Sequence, residues 1–283
     1  MIRRAIPGDI VYIHRMMEQA AGVGELELKE QTVVRRNRDQ YWVTVANGVV
    51  TGMARFMPYS PRLGEILSFF VPANHQKKGY EPLLLRACQE DAVRLRIARV
   101  LIVTKEKKLV KRVDFRLATP TERLPFFWTP REFSFQADSH LRAAVKEDII
   151  AIWALIEKAA DHRLLRPRSI LSVEQHLGEA VVAVNGLGEV VGTAFLEVYA
   201  PETELQPDLA EIRSLVVASE ESSKGFGHAL VNALKDRALK RGVKELMAVT
   251  SRDKFFRSLD FRRTTQGEAY FWEPEPNSLS VRA

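Results

Sequence analysis

Cysteine is nearly absent from this chain of 283 residues, which contains only Cys88. A single cysteine cannot form an internal disulfide, and this favours a reducing compartment such as the cytoplasm. No apolar run approaches the roughly 20 residues that a membrane-spanning helix needs, and the chain opens with polar sequence rather than the apolar segment of a secretory signal. We therefore expect a cytoplasmic protein with no membrane partner.

Metal-ligand spacings and nucleic-acid-binding motifs are also lacking. Because no cysteine–histidine spacing typical of zinc is present, we expect no metal. The net charge is +6, and a basic balance can indicate nucleic acid, an anionic membrane or a small anionic ligand. The densest basic run, Lys105–Arg112, has no accompanying RNA-binding motif, so it is more typical of a solvated helix face. We expect no nucleic-acid partner.

What the sequence does contain is an internal repeat. Asp9 matches Asp148 at an offset of 139 residues, and Gly79 matches Gly225 at an offset of 146. The matched segments keep their order, and a few inserted residues account for the drift. A period of this length is too long for a solenoid, so it indicates two whole domains.

We place these domains at residues 1–137 and 138–283, joined by a short polar linker at 136–140. Each half has the same order of elements: a helix, a β-hairpin, a third strand, a long helix, a buried strand, a short helix and an aromatic last strand. The fold class is therefore α/β, and in each half a mixed, mostly antiparallel sheet is flanked by helices. The main helices are predicted at residues 8–20, 82–96, 146–160 and 226–241.

Two turns and one helix face support this order. Asn47-Gly48 lies between two strand-like runs and is a strong signal for a two-residue hairpin turn. In the second half, Asn185–Gly188 joins the corresponding strands. Leu230, Leu234 and Ala238 recur every four positions and define the inner face of the long helix there.

The segment best suited to chemistry is Ser222–Gly227, which lies between an apolar strand and a helix. The first N–H groups of a helix have no intrahelical partner, and the helix dipole is positive at that end. A pyrophosphate can accept those N–H groups directly. Gly225 and Gly227 lack a Cβ and would let it approach the backbone closely.

This segment resembles the acyl-CoA-binding motif of GCN5-related N-acyltransferases, in which Arg or Gln is followed after two residues by Gly, any residue, and Gly or Ala. The second half matches both glycines but has Ser222 at the first position. The first half matches with Gln76 and Gly79 but has Glu81 at the last position. The resemblance covers nearly all of both halves. It implies two tandem domains of this fold, with acetyl-CoA as the cosubstrate and the first domain degenerate.

By this resemblance, the cosubstrate lies along the third strand and over the turn. The strand backbone would bind the pantetheine arm and supply an N–H donor for the oxyanion. For His228, the alternative is a solvated histidine at the start of the helix. The residues implied in acetyl-CoA binding are Leu215, Val216, Val217, Ser222, Ser223, Lys224, Gly225, Phe226, Gly227 and His228.

A narrower resemblance concerns the acceptor. Arg163–Ser169 and Leu209–Val217 are similar to segments of the transferase domain of N-acetylglutamate synthases. That resemblance implies that Arg168 binds a substrate carboxylate, with Arg213 and Arg252 as further candidates. A guanidinium suits this role because two parallel N–H bonds match two carboxylate oxygens. Surface arginines in loose ion pairs are the alternative.

The amine must lose a proton before it attacks the thioester, and Glu211 on the third strand is the candidate base. An ordinary strand-end carboxylate is its alternative. Many members of the family place a tyrosine before the last strand as a general acid, whereas Phe256 stands there in this sequence. The residues therefore do not indicate a dedicated general acid.

The sequence is thus most consistent with an acetyl-CoA-dependent N-acetyltransferase whose active site lies in the second half. The acceptor would be the amine of a small, carboxylate-bearing amino acid, with glutamate the leading candidate by resemblance. Another amine, such as a peptide N-terminus, a polyamine or an antibiotic, is the alternative within the same chemistry. Ser222 and Glu81 depart from the motif, so a non-catalytic acyl-CoA sensor or interaction module also stays open. A homodimer is compatible with the sequence.

Overall fold

A computed structural model describes residues 1–24, 26, 28–117, 123–128, 138–200, 209–264 and 267–272. The strands are β1 (Ile2–Arg4), β2 (Tyr41–Ala46), β3 (Val49–Ser60), β4 (Leu63–Phe70), β5 (Val100–Thr104), β6 (Leu124–Trp128), β7 (Leu141–Ala143), β8 (Ala180–Val184), β9 (Val190–Tyr199), β10 (Leu209–Val217), β11 (Glu245–Thr250), β12 (Arg262–Arg263) and β13 (Glu268–Trp272). The α-helices are α1 (Ile10–Gly22), α2 (Gln31–Arg36), α3 (Tyr80–Arg94), α4 (Lys107–Arg112), α5 (Ile149–Asp161), α6 (Ile170–Gln175), α7 (Phe226–Lys240) and α8 (Asp253–Arg257).

The strands form two mixed sheets. One has the order β1-β2-β3-β4-β5-β13, and the other has the order β12-β6-β11-β10-β9-β8-β7. In each sheet one central pair is parallel, β4 with β5 and β10 with β11, and its other pairs are antiparallel. Helices flank both sheets, which confirms the predicted α/β class. No helix in the described part of the chain is long and apolar enough to cross a membrane.

The last strand of each half belongs to the sheet of the other half. β6 pairs with β11, and β13 pairs with β5. One compact unit therefore contains residues 1–116 together with β13, and the other contains β6 through β12. Sequence matching could not show this, because both closing strands are short and aromatic and follow equivalent segments. Residues 136 and 137 of the proposed linker at 136–140 lie outside the described residues.

Local signals in the sequence account for the elements. The predicted hairpin turn is confirmed, with positive φ angles of 50° at Asn47 and 76° at Gly48, as a type I′ turn requires. The predicted inner face of α7 is also confirmed, since Leu230, Leu234 and Ala238 are all fully buried. These side chains pack between the helix and the second sheet.

The two aspartates matched by the repeat accept hydrogen bonds at the start of the first helix of each unit. The Arg142 guanidinium donates to Asp148 at 2.6 Å, and the Val145 N–H donates to the same carboxylate at 2.8 Å. These hydrogen bonds lower the pKa of Asp148. Asp9 pairs with Arg3 in the same way in the first unit. The repeat therefore preserves an ion pair that fixes the start of the first helix in each unit.

The strand exchange can be tested with Phe271→Ala. Phe271 is 4% exposed and pairs with Leu101 of β5, so its truncation should destabilise the first unit by about 3 kcal/mol. Hydrogen exchange should show faster exchange in β4 and β5, about 170 residues away in sequence, with β10 and β11 less affected. The control is Leu124→Ala in β6, which packs against the core of the second unit and should show the opposite pattern. Loss of protection in β10 and β11 on truncating Phe271 would contradict the exchange.

Candidate active site

The neighbouring strands β10 and β11 are paired for only part of their length. Leu209–Ile212 pairs with Glu245–Ala248, and the pairing stops there although β10 continues. Ser214 has a positive φ of 51°, and the register with β9 shifts between Arg213 and Val216. A bulge of this kind bends its strand. The bulge lies at the point where β10 leaves the parallel ladder.

Side chains of β10 alternate between the two faces of the sheet. Ala210 and Ile212 pack in the core that includes α7, so Glu211 and Arg213 lie on the opposite face. Phe195, the cross-strand partner of Arg213, packs among buried residues of α5 and α6. The two charged residues thus lie on the face that α5 and α6 cover.

Glu211 is a buried carboxylate with a tyrosine donor. It is 5% exposed, and the Tyr199 hydroxyl donates to its Oε2 at 2.5 Å. Glu197 lies directly opposite Glu211 on β9 and is 3% exposed. Sequence reasoning selected Glu211 but missed Tyr199 and Glu197. The period-two alternation of Phe195, Glu197 and Tyr199 was the available signal, since it places all three on one face.

Arg213 is held by a carboxylate of the protein itself. Its Nη1 forms an ion pair and a hydrogen bond with Glu197 Oε2. Burial alone would lower the pKa of Arg213, but Glu211, Tyr199 and Glu197 raise it above its ordinary value. Arg213 is therefore charged, and its partner is an adjacent strand residue.

Arg168 is the second guanidinium of this group. It precedes Ser169, whose hydroxyl caps α6 by accepting the N–H of Ser172 at 3.1 Å. Its guanidinium lies over the ring of Phe195, 4.5 Å from the centroid. Arg168 Nη1 is buried and has no hydrogen-bond partner among the described residues. An unsatisfied buried donor is costly, so an acceptor brought to this atom would stabilise the guanidinium.

The electrostatics of Arg168 agree with this geometry. Burial and the nearby charge of Arg213 lower the pKa of Arg168 to about 10, while Glu197, Glu179 and Glu211 oppose the shift. The guanidinium is still charged at neutral pH. A ligand carboxylate placed against it would restore the stabilisation that burial removes.

Other residues predicted from the sequence make different contacts. Arg252 is exposed at the start of α8, where its N–H donates to Thr250 Oγ1 at 3.1 Å. His228 is also exposed, and its Nε2 lies 3.1 Å from Ser258 Oγ. Phe256 is 3% exposed and is a core residue of the second unit.

The turn after β10 has open space at the start of a helix. Gly225 has a φ of 85° and immediately precedes α7. A Cβ added at Gly225 would meet nothing within 4 Å, and one at Gly227 would only contact Phe255 at 3.4 Å. The first N–H groups of α7 therefore lie next to open space, as an anion site at a helix start requires. Ser222 and Ser223 are exposed beside them.

The charge at this turn is more balanced than the sequence indicated. The Lys224 ammonium pairs with Glu221 at 2.8 Å, so the lysine charge is partly neutralised. Phe226 is 9% exposed and belongs to the core, which leaves its backbone as the part able to bind a ligand. Binding of a phosphate at this turn would thus depend on backbone N–H groups.

The equivalent turn in the first unit already has a carboxylate. Gly79 has a φ of 82°, like Gly225. The Glu81 side chain turns back and accepts the Lys77 N–H at 3.3 Å. Pro82 follows in the first turn of α3 and has no N–H to donate. A phosphate at this turn would meet a negative charge and fewer donors.

The first unit keeps part of the polar group on its sheet. The Tyr59 hydroxyl donates to Glu65 at 2.7 Å, which repeats the contact between Tyr199 and Glu211. However, Met57 lies opposite Glu65, and Leu67 occupies the position that corresponds to Arg213. The first unit therefore has the tyrosine–glutamate hydrogen bond without the glutamate–arginine pair.

Known proteins are similar to this chain in both of its halves. The sequence model of the Acetyltransferase (GNAT) family matches residues 12–113 and 143–262, more than half of the chain. An uncharacterized N-acetyltransferase of Chlorobaculum tepidum is 30% identical over 126 residues, which cover 44% of this chain and 77% of that protein.

Two solved structures are also similar. A GCN5-related N-acetyltransferase from Sphaerobacter thermophilus has a TM-score of 0.50 at 18% identity, over 98% of this chain and 96% of that one. Rv2747 from Mycobacterium tuberculosis, solved in complex with CoA, has a TM-score of 0.40 at 24% identity, over 42% of this chain and 75% of that one. Since the family match extends over both halves, the chain belongs to the GNAT acetyltransferase family and is an N-acetyltransferase with two tandem GNAT domains.

Proposed function

We propose that the second unit is the active one and that it acetylates the amine of a small, carboxylate-bearing amino acid in the cytoplasm. The observation that carries this proposal is the buried, unsatisfied Nη1 of Arg168. Arg168 is close enough to Glu211 for the Glu211 carboxylate to affect the pKa of Arg168. A carboxylate on Arg168 would bring the same molecule's amine toward Glu211. Glutamate is the acceptor that the resemblance suggests.

The residues divide the work as follows. Acetyl-CoA supplies an activated thioester, and the neutral amine of the acceptor attacks its carbonyl carbon. The C–N bond forms, the C–S bond breaks, and CoA leaves as a thiolate that takes its proton from solvent. The turn at Gly225 would hold the pyrophosphate through helix N–H groups, and the part of β10 that has left the ladder would bind the amide-containing arm. Arg168 orients the acceptor through its carboxylate. Glu211, hydrogen-bonded to Tyr199, accepts the proton of the ammonium. Arg252 is a further candidate for acceptor binding.

We expect about one acetyl-CoA site per chain, at the turn of the second unit. Gly225→Val should weaken binding at least tenfold, because a β-branched residue cannot adopt the positive φ at low cost. Gly79→Val is a matched control, since Gly79 has nearly the same φ, and it should leave affinity unchanged. Calorimetric titration with acetyl-CoA measures both. Two equivalent sites, or loss of binding with Gly79→Val alone, would show that we assigned the wrong unit.

Arg168→Ala should raise the KM for an amino-acid acceptor by roughly 30-fold, which corresponds to about 2 kcal/mol for a lost charge-assisted hydrogen bond. Arg36→Ala, at an exposed position of α2 in the first unit, is the control and should leave the KM unchanged. Release of free CoA thiol, measured across a panel of amines, gives both constants. If the two variants behave alike with a confirmed acceptor, Arg168 does not bind the carboxylate.

Glu211→Gln should lower kcat more at low pH than at high pH, because at high pH more of the acceptor amine is already neutral. Glu65→Gln removes the equivalent carboxylate of the first unit and should leave the pH profile of kcat unchanged. The measurement is kcat from pH 6 to pH 10 for both variants, roughly the range over which amines titrate. An equal loss at every pH would indicate that Glu211 has a structural role. Binding of acetyl-CoA without turnover of any amine would favour an acyl-CoA sensor.

A further inference from the structure

Glu197 has no role in the function proposed above, although it is a buried charge at the centre of the site. We propose that Glu197 is a specificity-determining residue: by occupying Arg213, it restricts the acceptor to amines that carry a single carboxylate. This inference rests on the proposed amino-acid acceptor and concerns its chemical class.

The position of the Glu197 carboxylate is set by its burial, its strand and its ion pair. Its side chain is 4% exposed, and it lies on β9 directly opposite Glu211. Its carboxylate pairs with Arg213 Nη1, two residues further along β10. Both partners are on paired strands of a sheet, so the ion pair is set by the backbone register. Arg213 therefore already has an anion.

The second guanidinium differs in this respect. Arg168 lies over Phe195, and Phe195 is the cross-strand partner of Arg213, so the two arginines are close together. Only Arg168 has a buried nitrogen without a hydrogen-bond partner in the described part of the site. One acceptor carboxylate satisfies that nitrogen.

A second carboxylate would have no equivalent partner here. The charged groups that act on Arg168 are Arg213 and the carboxylates of Glu197, Glu179 and Glu211. With Arg213 paired to Glu197, the other charged groups that act on Arg168 are carboxylates. A second acceptor carboxylate would be repelled in a poorly solvated place, where like charges cost most. The charge arrangement therefore favours an acceptor amino acid with an uncharged side chain over glutamate.

Glutamine and glutamate are a matched test pair, since they have nearly the same shape and differ in one charge. We would titrate the full-length protein, saturated with CoA so that no reaction occurs, with each amino acid by calorimetry. The wild type should bind glutamine at least tenfold more tightly than glutamate. Glu197→Gln should shift this ratio toward glutamate by about tenfold, because Arg213 becomes available to the second carboxylate. A wild-type preference for glutamate, or an unchanged ratio in the variant, would overturn the proposal.

A double variant separates specificity from folding. Removing Glu197 alone leaves the half-buried Arg213 without its partner, which destabilises proteins, so thermal unfolding should be followed in parallel. The double variant Glu197→Gln, Arg213→Gln removes both charges, and we expect it to return the glutamine-to-glutamate ratio to the wild-type value. If Glu197→Gln does not fold, this variant carries the test. A changed ratio in it would show that Arg213 itself binds the acceptor, which the proposal excludes.

The proposed function and this inference fail differently. If no amine is acetylated from acetyl-CoA, the proposed function is wrong. If amino acids are acetylated but the ratio does not respond to Glu197, the function stands and only the assignment of Glu197 falls.

Discussion

The parallel ladder between β10 and β11 ends at Ile212, and the features of the proposed site are arranged around that end. A continuous ladder would keep the two strands about 4.8 Å apart and satisfy their backbone groups against each other. The bulge at Ser214 ends the ladder. Beyond the bulge, the backbone of β10 can form hydrogen bonds with an extended ligand. Glu211 lies just before this point, and the turn at Gly225 follows the end of the same strand. A straight β10 would therefore remove the site while leaving the sheet intact.

The two units allow the demands of folding to be separated from the demands of chemistry. Both have the same sheet and the same tyrosine–glutamate hydrogen bond. In the first unit, however, Met57 and Leu67 stand where the second has Glu197 and Arg213. A buried ion pair is weak evidence for stability, since apolar residues of similar size often serve as well. The first unit shows that this fold accepts apolar residues there, so the fold itself does not require the charges of the second unit.

The sequence predicts most of the fold because the fold depends on local signals. The hairpin at Asn47, the inner face of α7 and the matched helix starts all follow from short-range patterns. The pairing of β6 and β13 does not, since each closing strand suits the edge of either sheet. Only contacts between distant parts of the chain decide which edge it joins. Glu81 was singled out from the motif, but its bond to the Lys77 N–H could not be inferred from it.

The same limit applies to the site. Arginine and glutamate types were evident from the sequence, whereas the partner of each depended on the register between β9 and β10. Arg213 and Arg168 are equally good carboxylate ligands by residue type. The structure distinguishes them because one faces a glutamate across the strand pair and the other faces an aromatic ring.

The exchanged strands also govern how the protein can be made. β5 of the first unit receives its outer neighbour from residues 268–272, which leave the ribosome long after β5 itself. Chains are synthesised at about 5–20 residues per second, so the first sheet keeps an open edge for on the order of ten seconds after its other strands have emerged. An unpaired edge is a template for pairing with another chain. The second sheet, by contrast, has β6 ready before its remaining strands are synthesised. The N-terminal unit, although made first, is thus completed last.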